Sequence, residues 1–273
     1  MLDGEGRLIE YLRLSVTDRC NCRCTYCMPA GGVPMLGHRD ILSFEELTEV
    51  VTACAQLGVR KVRLTGGEPL VRRGLPELVR MIRVVPGVEE LAMTTNATLL
   101  APVAAELHHA GLDRLNVSLD TLDAARYAEL TRGGSLEDAL AGLPRLAELA
   151  RTEPIDVRFI ELMPMGPCAG WPKARFIPAE TVLEAVPGLQ PLRRDGVAEL
   201  WHAPGWEGNV GLIRPMSHRF CDGCSRIRVT ADGRLKPCLH SAQEIELRGL
   251  TGQALEQTIR EAILSKPQRH HLG

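Results

Sequence analysis

The sequence predicts an α/β protein built on a parallel sheet, open or curled into a barrel, with a smaller α+β region after it. Three observations carry this. Short β-branched runs alternate with amphipathic runs through the first half of the chain. The texture changes after Met163, where Pro and Gly crowd into Met163-Pro-Met-Gly-Pro-Cys-Ala-Gly-Trp-Pro172. A length of 273 residues with 45% hydrophobic content supplies one large or two small cores. The expected division is 1–165 for the parallel-sheet part and 166–273 for the remainder.

Tyr11 to Thr17 reads as the first strand. Ser43-Phe-Glu-Glu46 forms a capping box that opens a helix running to about Leu57. Val59 to Thr65 is the next strand and Leu75 to Val84 the next helix. Leu91 to Thr95, a helix near Pro102 to Ala110, and Leu112 to Leu119 continue the alternation. Helical stretches cover Asp123 to Leu130 and Ser135 to Arg151, and Ile155 to Leu162 is a further strand. Beyond the linker the sequence predicts a short helix near Ala179 to Val186. Short strands follow near Leu189 to Arg193, Ala198 to His202 and Val210 to Arg214, then a closing helix near Gln253 to Leu264.

A formal net charge of −2 gives no global field toward nucleic acid or anionic lipid. No run of about 18 apolar residues occurs, so no membrane span is expected. Met1 to Glu10 lacks the apolar stretch of a secretory signal, and the location expected is cytoplasmic. The four lysines are Lys61, Lys173, Lys236 and Lys266, so arginine supplies nearly all positive charge. Composition bias explains that balance, as does recognition of phosphate or purine edges. Nine cysteines in such a chain argue for metal or redox chemistry over disulfides.

Six of these cysteines form two triads. Cys20, Cys24 and Cys27 have C-x3-C-x2-C spacing just after the first predicted strand. Three thiolates on one tight loop can hold three irons of a [4Fe–4S] cube and leave the fourth iron open. A structural zinc knuckle needs a fourth protein ligand. Cys22 reads as a small hydrophobe or as an alternative ligand. Cys221, Cys224 and Cys238 have C-x2-C-x13-C spacing, with His218 and His240 nearby. By spacing alone zinc and iron–sulfur stand level there.

Cys20 to Cys27, Thr65-Gly-Gly-Glu-Pro69 and Asn116-Val-Ser-Leu-Asp120 together resemble the radical S-adenosylmethionine (radical SAM) superfamily. Gly66 and Gly67 suit close backbone approach to a ligand, and Glu68 can accept hydrogen bonds from an ammonium. Further segments resemble the GTP 3′,8-cyclase family, which begins molybdenum-cofactor biosynthesis. They are Arg13 to Cys20, Arg63 to Arg73, Thr94-Thr-Asn96, Arg158 to Met163 and, above all, Phe220 to Cys238. The resemblance implies an incomplete radical SAM barrel of about five strands, closed at its mouth by the C-terminal region. It implies two [4Fe–4S] clusters, one on Cys20, Cys24 and Cys27 and an auxiliary one on Cys221, Cys224 and Cys238. Tyr26, Gly67, Ser118 and Met163 match contacts to S-adenosylmethionine; Arg13, Arg63, Thr94, Arg226 and Arg228 match contacts to GTP. It further implies a lyase reaction, an external electron donor, a homodimer, and a downstream cyclic pyranopterin monophosphate synthase.

The chain departs from the family in two places. About one βα unit, roughly 30 residues, is missing between Leu136–Gly142 and Arg158–Glu161. The family carries a GTP-contacting lysine there, and no position here takes that role. The chain stops at His270-His271-Leu272-Gly273, short of a Gly-Gly tail. Ala97 also stands where Gly is usual. The other readings are a two-cluster radical SAM enzyme of another specificity and a catalytically impaired paralogue.

Overall fold

Tyr11-Leu-Arg-Leu-Ser15 alternates long polar and apolar side chains, and the strand it forms buries Leu12 and Leu14 on one side only. The computed structural model describes residues 1–118, 124–140, 156–164, 166–172, 178–218 and 220–269. It divides into two units, one of Met1–Cys22, Val33–Asp120 and Cys224–Gly273 and one of Arg23–Gly32 and Thr121–Gly223.

The first unit is a seven-stranded sheet with helices on its apolar face. Four parallel strands follow one another in space: β1 (Tyr11–Ser15), β2 (Lys61–Thr65), β3 (Glu90–Thr95) and β4 (Arg114–Val117). Between them run α1 (Phe44–Gln56), α2 (Leu75–Arg83) and α3 (Ala104–His109). The expected capping box starts α1: Ser43 Oγ accepts from Glu46 N at 3.1 Å, and Glu46 Oε2 accepts from Ser43 N at 2.7 Å. Leu12, Leu14, Val62, Leu64, Leu91 and Met93 pack beneath α1 and α2 in the main core.

Three further strands lie on the other side of β1: β9 (Arg226–Val229), β10 (Arg234–Lys236) and β11 (Ile245–Glu246). β9 pairs parallel with β1 and antiparallel with β10. These three strands are absent from the sequence expectation. By packing, the segment from Cys224 onward belongs with the N-terminal strands. The sequence division at 165/166 therefore does not coincide with the boundary between units. The final helix, 252–264, packs on α1 through Leu255, Ile259 and Ile263.

In the second unit α4 (Ala124–Thr131) and α5 (Leu136–Leu140) fall where helices were expected; the rest of the stretch expected to reach Arg151 lies outside the described residues. A helical turn, Thr181–Ala185, precedes β6 (Gln190–Asp195), β7 (Ala198–His202) and β8 (Asn209–Ile213). β5 (Asp156–Ile160) pairs parallel with β8, and the sheet order is β5-β8-β7-β6.

Four of the five strands expected in the barrel wall stand in the first sheet, and that sheet does not close on itself among the described residues. The fifth, β5, belongs to the second sheet. Side chains add to its ladder there: Asn209 Nδ2 donates to Asp156 Oδ1 at 2.8 Å, and Arg158 pairs with Asp156 and Asp195. Among the described residues no helix is long and apolar enough to cross a membrane.

Candidate active site

Register sets the site of the first unit. Arg13 lies directly opposite Arg63 on β2 and Arg228 on β9. Arg226 is two residues before Arg228, and Thr94 is two after Ala92, the partner of Arg63. Side chains two apart on a strand share a face, so all five residues matched to GTP stand on the polar face of one sheet. The opposite face is the core. The positions paired with Arg13 on both neighbouring strands are arginines, and among the described residues Arg13 Nε and Thr94 Oγ1 have no hydrogen-bond partner. Burial, then the charges of Arg63 and Arg226, pull Arg13 down to about 10, with Tyr11 opposing. Burial and the charges of Arg13 and Arg226 pull Arg228 down to about 9, with Cys224 and Cys238 opposing. Such a row attracts a polyanion.

One end of this face leads to Cys20. The loop between β1 and Cys20 packs against Gly66 and Gly67: Gly67 N donates to Thr17 O at 2.9 Å and Glu68 N to Arg19 O at 2.8 Å. A Cβ at Gly66 would overlap Thr17, and one at Gly67 would overlap the Arg19 carbonyl; Gly66 also has φ +148. The two glycines thus admit the cysteine loop itself. Glu68 is buried and accepts from Leu70 N at 3.0 Å, Thr95 Oγ1 at 2.8 Å and Asn96 N at 2.7 Å. Burial raises its carboxyl above the usual range despite those bonds. Through these internal donors Glu68 braces the ends of β2 and β3, and its carboxylate keeps acceptor capacity beyond them.

Asn96 is a residue the sequence reading left without a role. Its Nδ2 donates to Cys22 Sγ at 3.4 Å and Asn21 Oδ1 at 2.9 Å, and approaches Cys20 Sγ at 4.0 Å. The hydrogen bond with Cys22, with help from Asn96, lowers the Cys20 thiol to about 7. A thiol ionised near neutrality suits metal ligation. Cys22 itself is buried. Ala97, next in the chain, has φ +63, which explains why glycine suits that position. Ser118, after β4, donates its N–H to Thr95 O at 2.8 Å.

The opposite end of β1 meets Cys224. Glu10 N and Tyr11 N both donate to Ser225 O at 3.1 Å, so Cys224 lies level with the start of β1. β1 rises about 13 Å over its length, so Cys20 and Cys224 lie beyond opposite ends of the arginine face. Burial opposes ionisation of Cys224, but Lys266 and Arg226 outweigh it and hold the thiol below its ordinary value. Lys266, also unassigned from sequence, is buried and donates to Arg226 O at 2.8 Å and Pro237 O at 2.7 Å.

Cys238 follows β10 in the first unit, and the remaining predicted residues, Cys24, Tyr26, Cys27, Met163 and Cys221, are in the second. Cys24 and Cys27 form a turn in which Cys27 N donates to Cys24 O at 2.9 Å. Arg23 N and Thr25 N tie that turn to the end of α4 through Thr131 O and Leu130 O, with half-buried Tyr26 between the two cysteines. Met163 O accepts from Cys168 Sγ at 3.2 Å. Cys221 opens a single turn of 3-10 helix. His218, weighed as a zinc ligand, faces Glu180 at 3.5 Å. No three His, Cys, Asp or Glu side chains among the described residues converge on one metal-sized point. The depressed Cys20 and Cys224 thiols nevertheless fit iron–sulfur ligation, which commonly completes its own ligand geometry.

Residues 14–162 match the family model described as the radical SAM superfamily, and 155–272 match Molybdenum Cofactor Synthesis C. The chain belongs to the radical SAM superfamily, whose cofactors are S-adenosylmethionine and an iron–sulfur cluster. It is 43% identical to the GTP 3′,8-cyclase of Alkaliphilus metalliredigens over 303 aligned positions, covering 100% of this chain and 95% of that one. It is 44% identical to that of Pelotomaculum thermopropionicum over 310 positions, with the same coverage of each. Within the superfamily, the chain belongs to the GTP 3′,8-cyclase family of molybdenum-cofactor biosynthesis. The first alignment is longer than this chain by about 30 positions, the size of one βα unit. Among solved structures, Streptococcus suis SuiB bound to S-adenosylmethionine matches with TM-score 0.57 and 14% identity, over 96% of this chain and 65% of that one. That likeness concerns the fold alone.

Proposed function

We propose that this chain converts GTP to (8S)-3′,8-cyclo-7,8-dihydroguanosine 5′-triphosphate, as a lyase carrying two [4Fe–4S] clusters. The observation that supports it best is the in-register row of Arg228, Arg13 and Arg63 between Cys20 at one end and Cys224 at the other. When bound, the first cluster and S-adenosylmethionine supply the carbon radical that starts the rearrangement. The chain's own residues bind, orient and exclude water. Cys20, Cys24 and Cys27 hold the first cluster; Tyr26, Gly67, Ser118 and Met163 border the S-adenosylmethionine. Arg13, Arg63, Thr94, Arg226 and Arg228 hold GTP, the guanidinium groups offering paired donors to its phosphate oxygens. Cys221, Cys224 and Cys238 hold the auxiliary cluster. The 166–273 segment supplies that second metal site to the machinery of 1–165. An external electron donor, a cytoplasmic setting, a homodimer and a downstream pterin synthase complete the reading.

The test is anaerobic reconstitution, iron determination, and incubation with GTP, S-adenosylmethionine and dithionite. Cyclised nucleotide detected by mass spectrometry, with 5′-deoxyadenosine in step, is the expected result. Deoxyadenosine without a GTP-derived product overturns the substrate. Bound zinc with no iron overturns the radical chemistry.

A further inference from the structure

Lys266 follows the C-terminal helix, 252–264, and its ammonium is buried against backbone next to Cys224 and Cys238, at the start of β9 and just after β10. Its two acceptors are informative. Arg226 O lies two residues past Cys224, and Pro237 O belongs to the residue just before Cys238. One ammonium therefore ties together the two backbone segments that carry these cysteines. An ammonium has three donors, and two are used. The charge also acts on both sulfurs: burial and the nearby Arg7 and Arg226 disfavour the ammonium, while Cys224 and Cys238 favour it.

The protein holds this lysine in place from the far end of the chain. Arg7 Nη1 donates to Gln268 O at 2.9 Å and Nη2 to Pro267 O at 2.9 Å. Arg7 Nε in turn pairs with buried Asp3 at 2.7 Å. Burying a cation is costly unless it is well paired. A purely space-filling role at this position would be met by an apolar side chain.

We propose that Lys266 is a positioning residue for the auxiliary cluster: it sets the spacing of Cys224 and Cys238 and places one positive charge against their thiolates. This rests on the reading of Cys221, Cys224 and Cys238 as cluster ligands. A fixed cation favours the form of the cluster carrying more negative charge, so it raises the reduction potential of this cluster and not of the other.

The experiment is an EPR-monitored potentiometric titration of the reconstituted holoenzyme, wild type against Lys266→Met, Lys266→Gln and Lys266→Arg. Added S-adenosylmethionine marks the signal of the first cluster. The expected result is a lower midpoint potential for the auxiliary cluster in the Met and Gln variants, an unmoved first cluster, and recovery in Arg. Iron retained per chain should fall most in Met, which lacks both donors and charge. A wild type holding one cluster sinks the ligand reading and this proposal together. Two clusters in wild type with unchanged midpoints and iron in Met and Gln sink this proposal alone. Loss of the fold in the iron-free Met and Gln proteins, seen by circular dichroism, makes Lys266 a general buttress and also overturns it.

Discussion

Replacing Arg13 by Met should make the iron-free protein more stable and the GTP complex weaker. Arg13 lies between two like charges, Arg63 and Arg228, on adjacent strands. Like charges about 7 Å apart repel by about 2 kcal/mol at an effective dielectric near 20. Water at the half-buried face screens part of this. Met keeps the aliphatic body of the side chain. A net gain of about 2 kcal/mol is expected, or a melting temperature higher by about 4–8 °C. The same change would remove the charge-assisted hydrogen bond proposed between Arg13 and the nucleotide, about 1.5–3 kcal/mol, or roughly 10–150-fold in Kd. Differential scanning fluorimetry of the iron-free protein, with and without GTP, reads both effects. The control is Arg60→Met, an exposed partner of Glu89 at 3.0 Å, which should move neither by more than about 0.5 kcal/mol. An Arg13→Met protein that melts at or below wild type and binds GTP as tightly would refute the argument.

Three more expectations follow from the same site. Gly67→Ala places a methyl against the Arg19 carbonyl, so the loop to Cys20 must move; first-cluster iron should be lost, read by iron assay and EPR, with auxiliary iron retained. Arg228, held down to about 9, loses its proton in the folded state before it does so unfolded. The unfolded chain then binds more protons above pH 9, and wild-type stability rises with pH relative to Arg228→Met; urea melts at pH 7 and 10 measure the narrowing gap. In the iron-free protein Cys20, lowered to about 7, should be alkylated by iodoacetamide in a reaction rising through pH 7. Buried Cys54, pushed up to about 12, should stay unmodified, with mass spectrometry assigning both.

Much of this site was written locally in the sequence. β1 to β4 and α1 to α3 fell where periodicity and caps put them, because each buries its apolar side against its sequence neighbours. What could not be read is non-local. Arg226-Ile-Arg-Val229 is a four-residue alternation beside a cysteine motif, and nothing in it says that its partner is β1. The resemblance identified Arg13, Arg63 and Arg228 singly; their side-by-side register follows only from the pairing. The bracing role of Glu68 was not legible because burial and internal donors leave no trace in composition. Lys266 carried no motif and Asn96 lay in a family-like segment without an assigned role; their relevance comes from which backbone and sulfur atoms lie within reach. β5 kept its strand character but changed sheet, since Asp156, Asn209 and Asp195 reward pairing with β8.

The insertion of β9 beside β1 has a consequence for biogenesis. Arg13 must wait about 215 residues of synthesis for its neighbour Arg228, roughly 10–40 s at common elongation speeds. Throughout that interval one edge of β1 is open on the nascent chain and able to pair wrongly. On the proposed ligand set, metal could enter at Cys224 and Cys238 only after the ribosome has nearly finished, whereas the loop at Cys20 to Cys27 emerges almost at once. A chain stalled or cleaved before residue 226 would present an unpartnered strand to chaperones and proteases, and its first cysteine triad would be exposed to oxidation.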